Sequence, residues 1–157
     1  MNKEAGDGEL ERLAPLVGEW SMVPDFAGAP ADGGARVVFE WLPGQRFLLQ
    51  RWEIADLDPT VAPAAGVAII GVDPAREDGF LQHYFDSRGV ARIYRMSFGD
   101  GVWELWRDEP DVSPLTFSQR YAGALSDDGR TISGAWEKCV DGRTWERDFG
   151  LTYTKLA

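Results

Sequence analysis

Apolar and polar residues alternate along most of this chain, and the alternation is densest between Gly79 and Arg107. The stretch reads Gly-Phe-Leu-Gln-His-Tyr-Phe-Asp, then Ser-Arg-Gly, then Val-Ala-Arg-Ile-Tyr-Arg-Met-Ser-Phe, then Gly-Asp-Gly, then Val-Trp-Glu-Leu-Trp-Arg. Runs of strand length, rich in aromatic and β-branched residues, are thus separated by turn sequences. Asp86-Ser87-Arg88-Gly89 has Asp first and Gly last, the signature of a type I turn whose Gly takes the left-handed position of a hairpin loop. Asp100-Gly101 is a type I′ signal. An antiparallel meander is expected.

Those loops fix a register. Tyr84 then faces Arg92, Gln82 faces Tyr94, Phe80 faces Met96, Phe98 faces Trp103 and Tyr94 faces Arg107. One face carries Phe80, Gln82, Tyr84, Arg92, Tyr94, Met96, Phe98, Trp103, Leu105 and Arg107. The other carries Leu81, His83, Phe85, Ala91, Ile93, Arg95, Ser97, Glu104 and Trp106. The first has more aromatic bulk and gathers hydrogen-bonding groups toward one end, the composition of a cavity wall. A slip of one residue in either loop would exchange the faces.

The rest of the chain follows the same period. Residues 1–8 read as a flexible polar tail. Leu10, Leu13 and Leu16 or Val17 fall at helical spacing, with Asp7 placed as N-cap and Pro15 limiting the helix to a turn or two. Further strands are expected at 18–22, 35–42, 46–54, 66–73, 115–122, 130–138 and 144–156. Pro43-Gly44, Asp128-Gly129 and Asp141-Gly142 mark turns; 23–34, 56–65 and 108–114 are loops. About ten strands, one short helix and no helical crossover favour an all-β fold over a parallel sheet. Closing the strands into an antiparallel up-and-down barrel removes the edges an open sheet would expose. Residues 9–157 are expected to form one domain.

Composition narrows the partners. Asp and Glu number 26 against 16 Lys and Arg, for a net charge of −10 in 157 residues. Nucleic acid and anionic membranes need a basic surface, so neither is expected as a partner. Cys139 stands alone, which excludes a disulfide framework and points to a reducing compartment. The chain reads without a signal peptide or an apolar run of membrane length, and a soluble cytoplasmic protein is expected. One Cys and one His, His83, make poor material for a transition-metal site. There is no Gly-x-Ser-x-Gly elbow, phosphate loop or dinucleotide fingerprint. No metal and no cofactor is expected, and His83 reads as structural.

A short N-terminal helix leading into Gly18-x-Trp20 resembles the opening of lipocalin-like (calycin) barrels. The resemblance implies a Trp packed across the closed end of the barrel near a basic residue of the last strand, here Lys155 or Arg147. Leu-Pro-Gly-Gln-Arg-Phe-Leu at 42–48 resembles the second hairpin of a bacterial lipocalin-like family of unknown function. The segment at 69–74, ending in Asp73-Pro74, and the run from Asp148 to Lys155 are similar to nitrobindin-like barrels. Those proteins hold haem through a His of the last strand; the matching positions here are Asp148 or Gly150, and neither supplies that ligand. Alternation on the last strand puts Trp145, Arg147, Phe149, Leu151 and Tyr153 inward, whereas the resemblance puts the parity of Asp148 inward. A bulge at Gly150 would reconcile the two.

Tyr84, Arg92, Tyr94 and Arg107 carry the functional signal. They read either as cross-strand Arg–Tyr pairs on a solvated face or, with Gln82 assisting, as an anion clamp at one end of an aromatic pocket that includes Trp103. Trp136 reads as core. The leading expectation is a binding protein for a small, largely apolar or amphipathic ligand, carboxylate-bearing ones included, with 23–34, 56–65 and 108–114 as the rim. A cofactor-free enzyme, a cyclase or decarboxylase as the calycin resemblance suggests, needs an inward carboxylate base, and Glu104 falls on the opposite face. A filled barrel acting as a homodimer would use the outer apolar strip of Leu81, Phe85, Ile93 and Trp106.

Overall fold

The computed structural model describes residues 7–29, 34–55, 57–58 and 60–156. Ten strands, β1(Gly18–Pro24), β2(Ala35–Trp41), β3(Leu48–Ile54), β4(Ala65–Val72), β5(Phe80–Asp86), β6(Ala91–Gly99), β7(Val102–Arg107), β8(Ser118–Leu125), β9(Thr131–Cys139) and β10(Glu146–Lys155), pair antiparallel with their sequence neighbours. β10 returns to β1 and closes the barrel. The only α-helix among the described residues is α1(Asp7–Glu11), followed by a 3-10 turn at Ala14–Leu16.

The meander has the register its turns dictate. Phe80 pairs with Met96, Gln82 with Tyr94, Tyr84 with Arg92 and Phe98 with Trp103. Asp100 and Gly101 sit at φ 53° and 74°, both left-handed as a type I′ turn requires, and Gly89 sits at φ 86°. The face with Phe80, Gln82, Tyr94, Met96, Phe98 and Trp103 is buried, while His83, Phe85 and Glu104 on the other are exposed.

One end of the barrel is plugged. Trp20, Leu13 and Leu16 are fully buried, and the Trp20 indole donates to the Leu16 carbonyl at 2.9 Å. Lys155, directly opposite Trp20 in the β1–β10 pairing, holds its ammonium 5.3 Å from the ring centroid. The basic partner of this Trp is therefore Lys155; Arg147 lies toward the other end of β10 and pairs with Asp25 at 2.6 Å.

Four expectations are corrected. The helix begins at Asp7, earlier than the spacing suggests, so residues 7 and 8 are not tail; residues 1–6 and the Asp7 side chain lie outside the described residues. β8 runs from Ser118 rather than from 115, because Arg107 holds Ser113 and Pro114 in a loop by hydrogen bonds to their carbonyls. The irregularity of β10 falls between Arg147 and Phe149, not at Gly150. As a result Arg147 and Trp145 lie outside, Trp145 stacked under the guanidinium of Arg120 at 4.1 Å.

Candidate functional site

The end of the barrel opposite the helix holds a cavity of about 330 Å³. Its mouth is bounded by Phe26 after β1, Val61 to Pro63 before β4, Arg88 between β5 and β6, and Phe117 before β8. Up-and-down topology brings these loops together, since every second connection lies at the same end.

The wall is a run of touching aromatic rings. Trp52 stacks on Tyr84 at 6.4 Å, Tyr84 meets Tyr94 edge-on at 5.9 Å, and Tyr94 meets Trp136 at 5.5 Å. Tyr94 and Trp136 stand on β6 and β9, which are not neighbours, so this contact crosses the interior. Tyr121, itself outside the lining, joins Trp136 at 5.4 Å to Trp103 at 5.3 Å. Such offset and edge-to-face pairs add to the stabilisation from burial. Gly66 makes room for one of them: it faces Trp52 in the β3–β4 register, and a Cβ there would collide with the indole.

Polar groups gather at the mouth. Arg92 donates through Nη1 to Gln119 Oε1 at 3.1 Å, and the Tyr94 hydroxyl donates to the same oxygen at 2.8 Å. The Arg92 guanidinium also lies 5.5 Å from the Phe117 ring centroid. Among the described residues no carboxylate comes within 4.0 Å of it. The other two Arg of the region are neutralised. Arg88 grips Asp86 at 2.7 Å, and Asp86 in turn accepts the Tyr84 hydroxyl at 2.8 Å. Arg107 pairs with Asp111 through two bonds of 2.8 and 3.0 Å.

Burial first, then the bond to Asp86, pushes the Tyr84 phenol well above its usual range. Burial also raises Tyr94. Both phenols therefore keep their protons near neutrality and act as donors. For Asp86 burial opposes ionisation, but the bonds from Arg88 and Tyr84 and the Arg88 charge outweigh it and hold the carboxyl below the usual range. Arg107 does the same for Asp111 more strongly, with help from the Ile93 and Ser113 amides and against burial.

Of the residues expected from sequence, Gln82, Tyr84, Arg92, Tyr94 and Trp103 line this one cavity. Arg107 does not: it is buried, and its guanidinium is turned into the 108–114 loop by Asp111, Ser113 and Pro114. Trp136, read as core, lines the cavity. Gln50, Trp52 and Gln119 were missed. Gln50 had a signal, a polar residue at an apolar parity between Leu48 and Trp52. Gln119 sits at the parity of Phe117 and Tyr121. Asp148 supplies a carboxylate to the lining at the bulge, 3.9 Å from Lys138 Nζ. Among the described residues no three His, Cys, Asp or Glu side chains gather as a metal site. No helix there is long and apolar enough to cross a membrane.

No protein-family model matches the chain, and no curated protein matches it. The crystal structure of Rv2717c from M. tuberculosis is similar to it, with a TM-score of 0.63 at 16% identity over 95% of this chain and 98% of that one. At that identity the likeness is one of fold.

Proposed function

We propose that the barrel binds a small, largely apolar ligand bearing a carboxylate, in the manner of calycin-type binding proteins. The volume, about 330 Å³, is at the lower end of the range for small-molecule sites, and aromatic walls with a few polar groups are their usual composition. The observation that carries the reading is Arg92. A guanidinium partly withdrawn from water and oriented by a neutral amide and an aromatic ring retains an uncancelled charge. A ligand carboxylate docked there gains charge-assisted hydrogen bonds and relieves the cost of leaving a cation half-desolvated.

The test is a tryptophan-fluorescence titration of the intact protein, since Trp52, Trp103 and Trp136 all line the cavity. A medium-chain acyl or aryl carboxylate is expected to give a saturable change and to bind more tightly than its alcohol. Absence of a saturable change with either, or equal affinity for both, rejects the reading.

A further inference from the structure

The deep part of the cavity is polar in a different way from the mouth. Among the described residues, the charged ones that line the cavity, Arg88, Arg92 and Asp148, stand at the open ends of β5, β6 and β10. Below them the polar lining is neutral. Gln82, 5% exposed, lies on the closed-end side of Tyr84 along β5, and its Nε2 donates to Gln50 Oε1 at 3.4 Å. Trp103, 2% exposed, is the second residue of β7 after the turn at the closed end.

Two atoms of this deep set lack a partner. Gln82 Oε1 and Trp103 Nε1 are buried, and neither makes a hydrogen bond among the described residues. Leaving a buried donor or acceptor unmet is unfavourable by its full desolvation penalty, and side chains in barrel interiors rarely carry that cost. Tyr121 also has an unmet hydroxyl, but it lies over Gly123 and Gly134, and Tyr121 does not line the cavity.

The orphan pair is complementary. Gln82 Oε1 only accepts and Trp103 Nε1 only donates, so a group meeting both must donate and accept. A hydroxyl does this; a methyl does neither, and an ionised group would find no counter-charge at that depth among the described residues. We infer that the ligand is a carboxylate with a hydroxyl at its far end, a hydroxyaryl or ω-hydroxyacyl acid, the carboxylate at Arg92 and the hydroxyl at Gln82 and Trp103. This rests on the carboxylate reading of the mouth and adds the second polar end.

The experiment is isothermal titration of the whole protein with 3-phenylpropanoate bearing hydrogen, methyl or hydroxyl in the para position, and with the alcohol of each. The hydroxyl compound is expected to bind roughly tenfold more tightly than the methyl one, the worth of about one net hydrogen bond. That preference is expected to vanish in Gln82→Leu and to shrink in Trp103→Phe, with the preference for carboxylate over alcohol retained in both. Melting temperatures establish that the variants are folded. Equal binding of the hydroxyl and methyl acids by the unaltered protein, or a hydroxyl preference that survives both substitutions, overturns the inference and leaves the Arg92 reading standing. A series with no preference for the acids over their alcohols removes the Arg92 reading and this inference with it.

Discussion

Arg92 and Gln119 meet through a single hydrogen bond of 3.1 Å, from guanidinium Nη1 to the side-chain carbonyl. The partner is neutral, so the bond aims the guanidinium without cancelling its charge. Tyr94 donates to the same oxygen and fixes it. At Arg107 the equivalent position is taken by the carboxylate of Asp111, and there no charge is left over for a ligand.

Replacing that amide by an acid converts one arrangement into the other. Gln119→Glu is expected to lower affinity for a carboxylate ligand at least about tenfold, as an internal partner occupies Arg92 and the ligand's own charge is repelled. Fluorescence titration at pH 7 reads this. An unchanged affinity would mean that Arg92 is not the ligand's contact.

Arg107 belongs to stability instead. Its side chain is 3% exposed and that of Asp111 10%, and removing one partner strands the other. Arg107→Ala is expected to lower unfolding free energy by about 3–5 kcal/mol, measured by urea denaturation. Where the variant remains folded, its preference for carboxylate over alcohol should be unaltered.

The same pair sets an acid limit. Arg107 and backbone amides hold the Asp111 carboxyl below its ordinary value, so the folded state binds its proton less readily than the unfolded chain. Its contribution is complete above the unfolded value, about 4, and is lost progressively as pH falls below that. Unfolding free energy between pH 7 and 2 should decline more steeply for the natural protein than for Asp111→Asn, which starts lower. Parallel curves would show that another carboxyl governs acid unfolding.

The meander was legible in the sequence because its turns leave few choices. Asp100-Gly101 and Gly89 demand left-handed backbone, and once placed they set every pair from Phe80 to Trp103. The closing strand was less legible. Alternation alone put Arg147 inside, and the register shift at Asp148 that turns it out is invisible to a strict period of two. Arg107 shows a different limit. Parity placed it on the inward face, as the structure does, but its fate depends on Asp111, which comes into reach only once the 108–117 loop is folded. Gln119 was hidden for a related reason, because β8 begins three residues later than its hydrophobic run.

The outer surface carries its own expectation. Val67, Ile69, Leu81, Phe85 and Ile93 share the outward parity of β4, β5 and β6, and Phe85 is 45% exposed. These side chains flank the exposed His83, which pairs with both Ile69 and Ile93, and apolar surface on a sheet face favours self-association. Sedimentation at high micromolar concentration is expected to find a dimer, and Phe85→Lys a monomer. A monomer in the natural protein would refute it.

The central claim is that Arg92 reads a ligand carboxylate, and calorimetry of Arg92→Ala against a matched acid and alcohol tests it most directly. Loss of one charged hydrogen-bonding partner is expected to weaken the acid by about 1.5–3 kcal/mol, with a markedly smaller change for the alcohol. Equal loss for both, or none for the acid, would contradict the account.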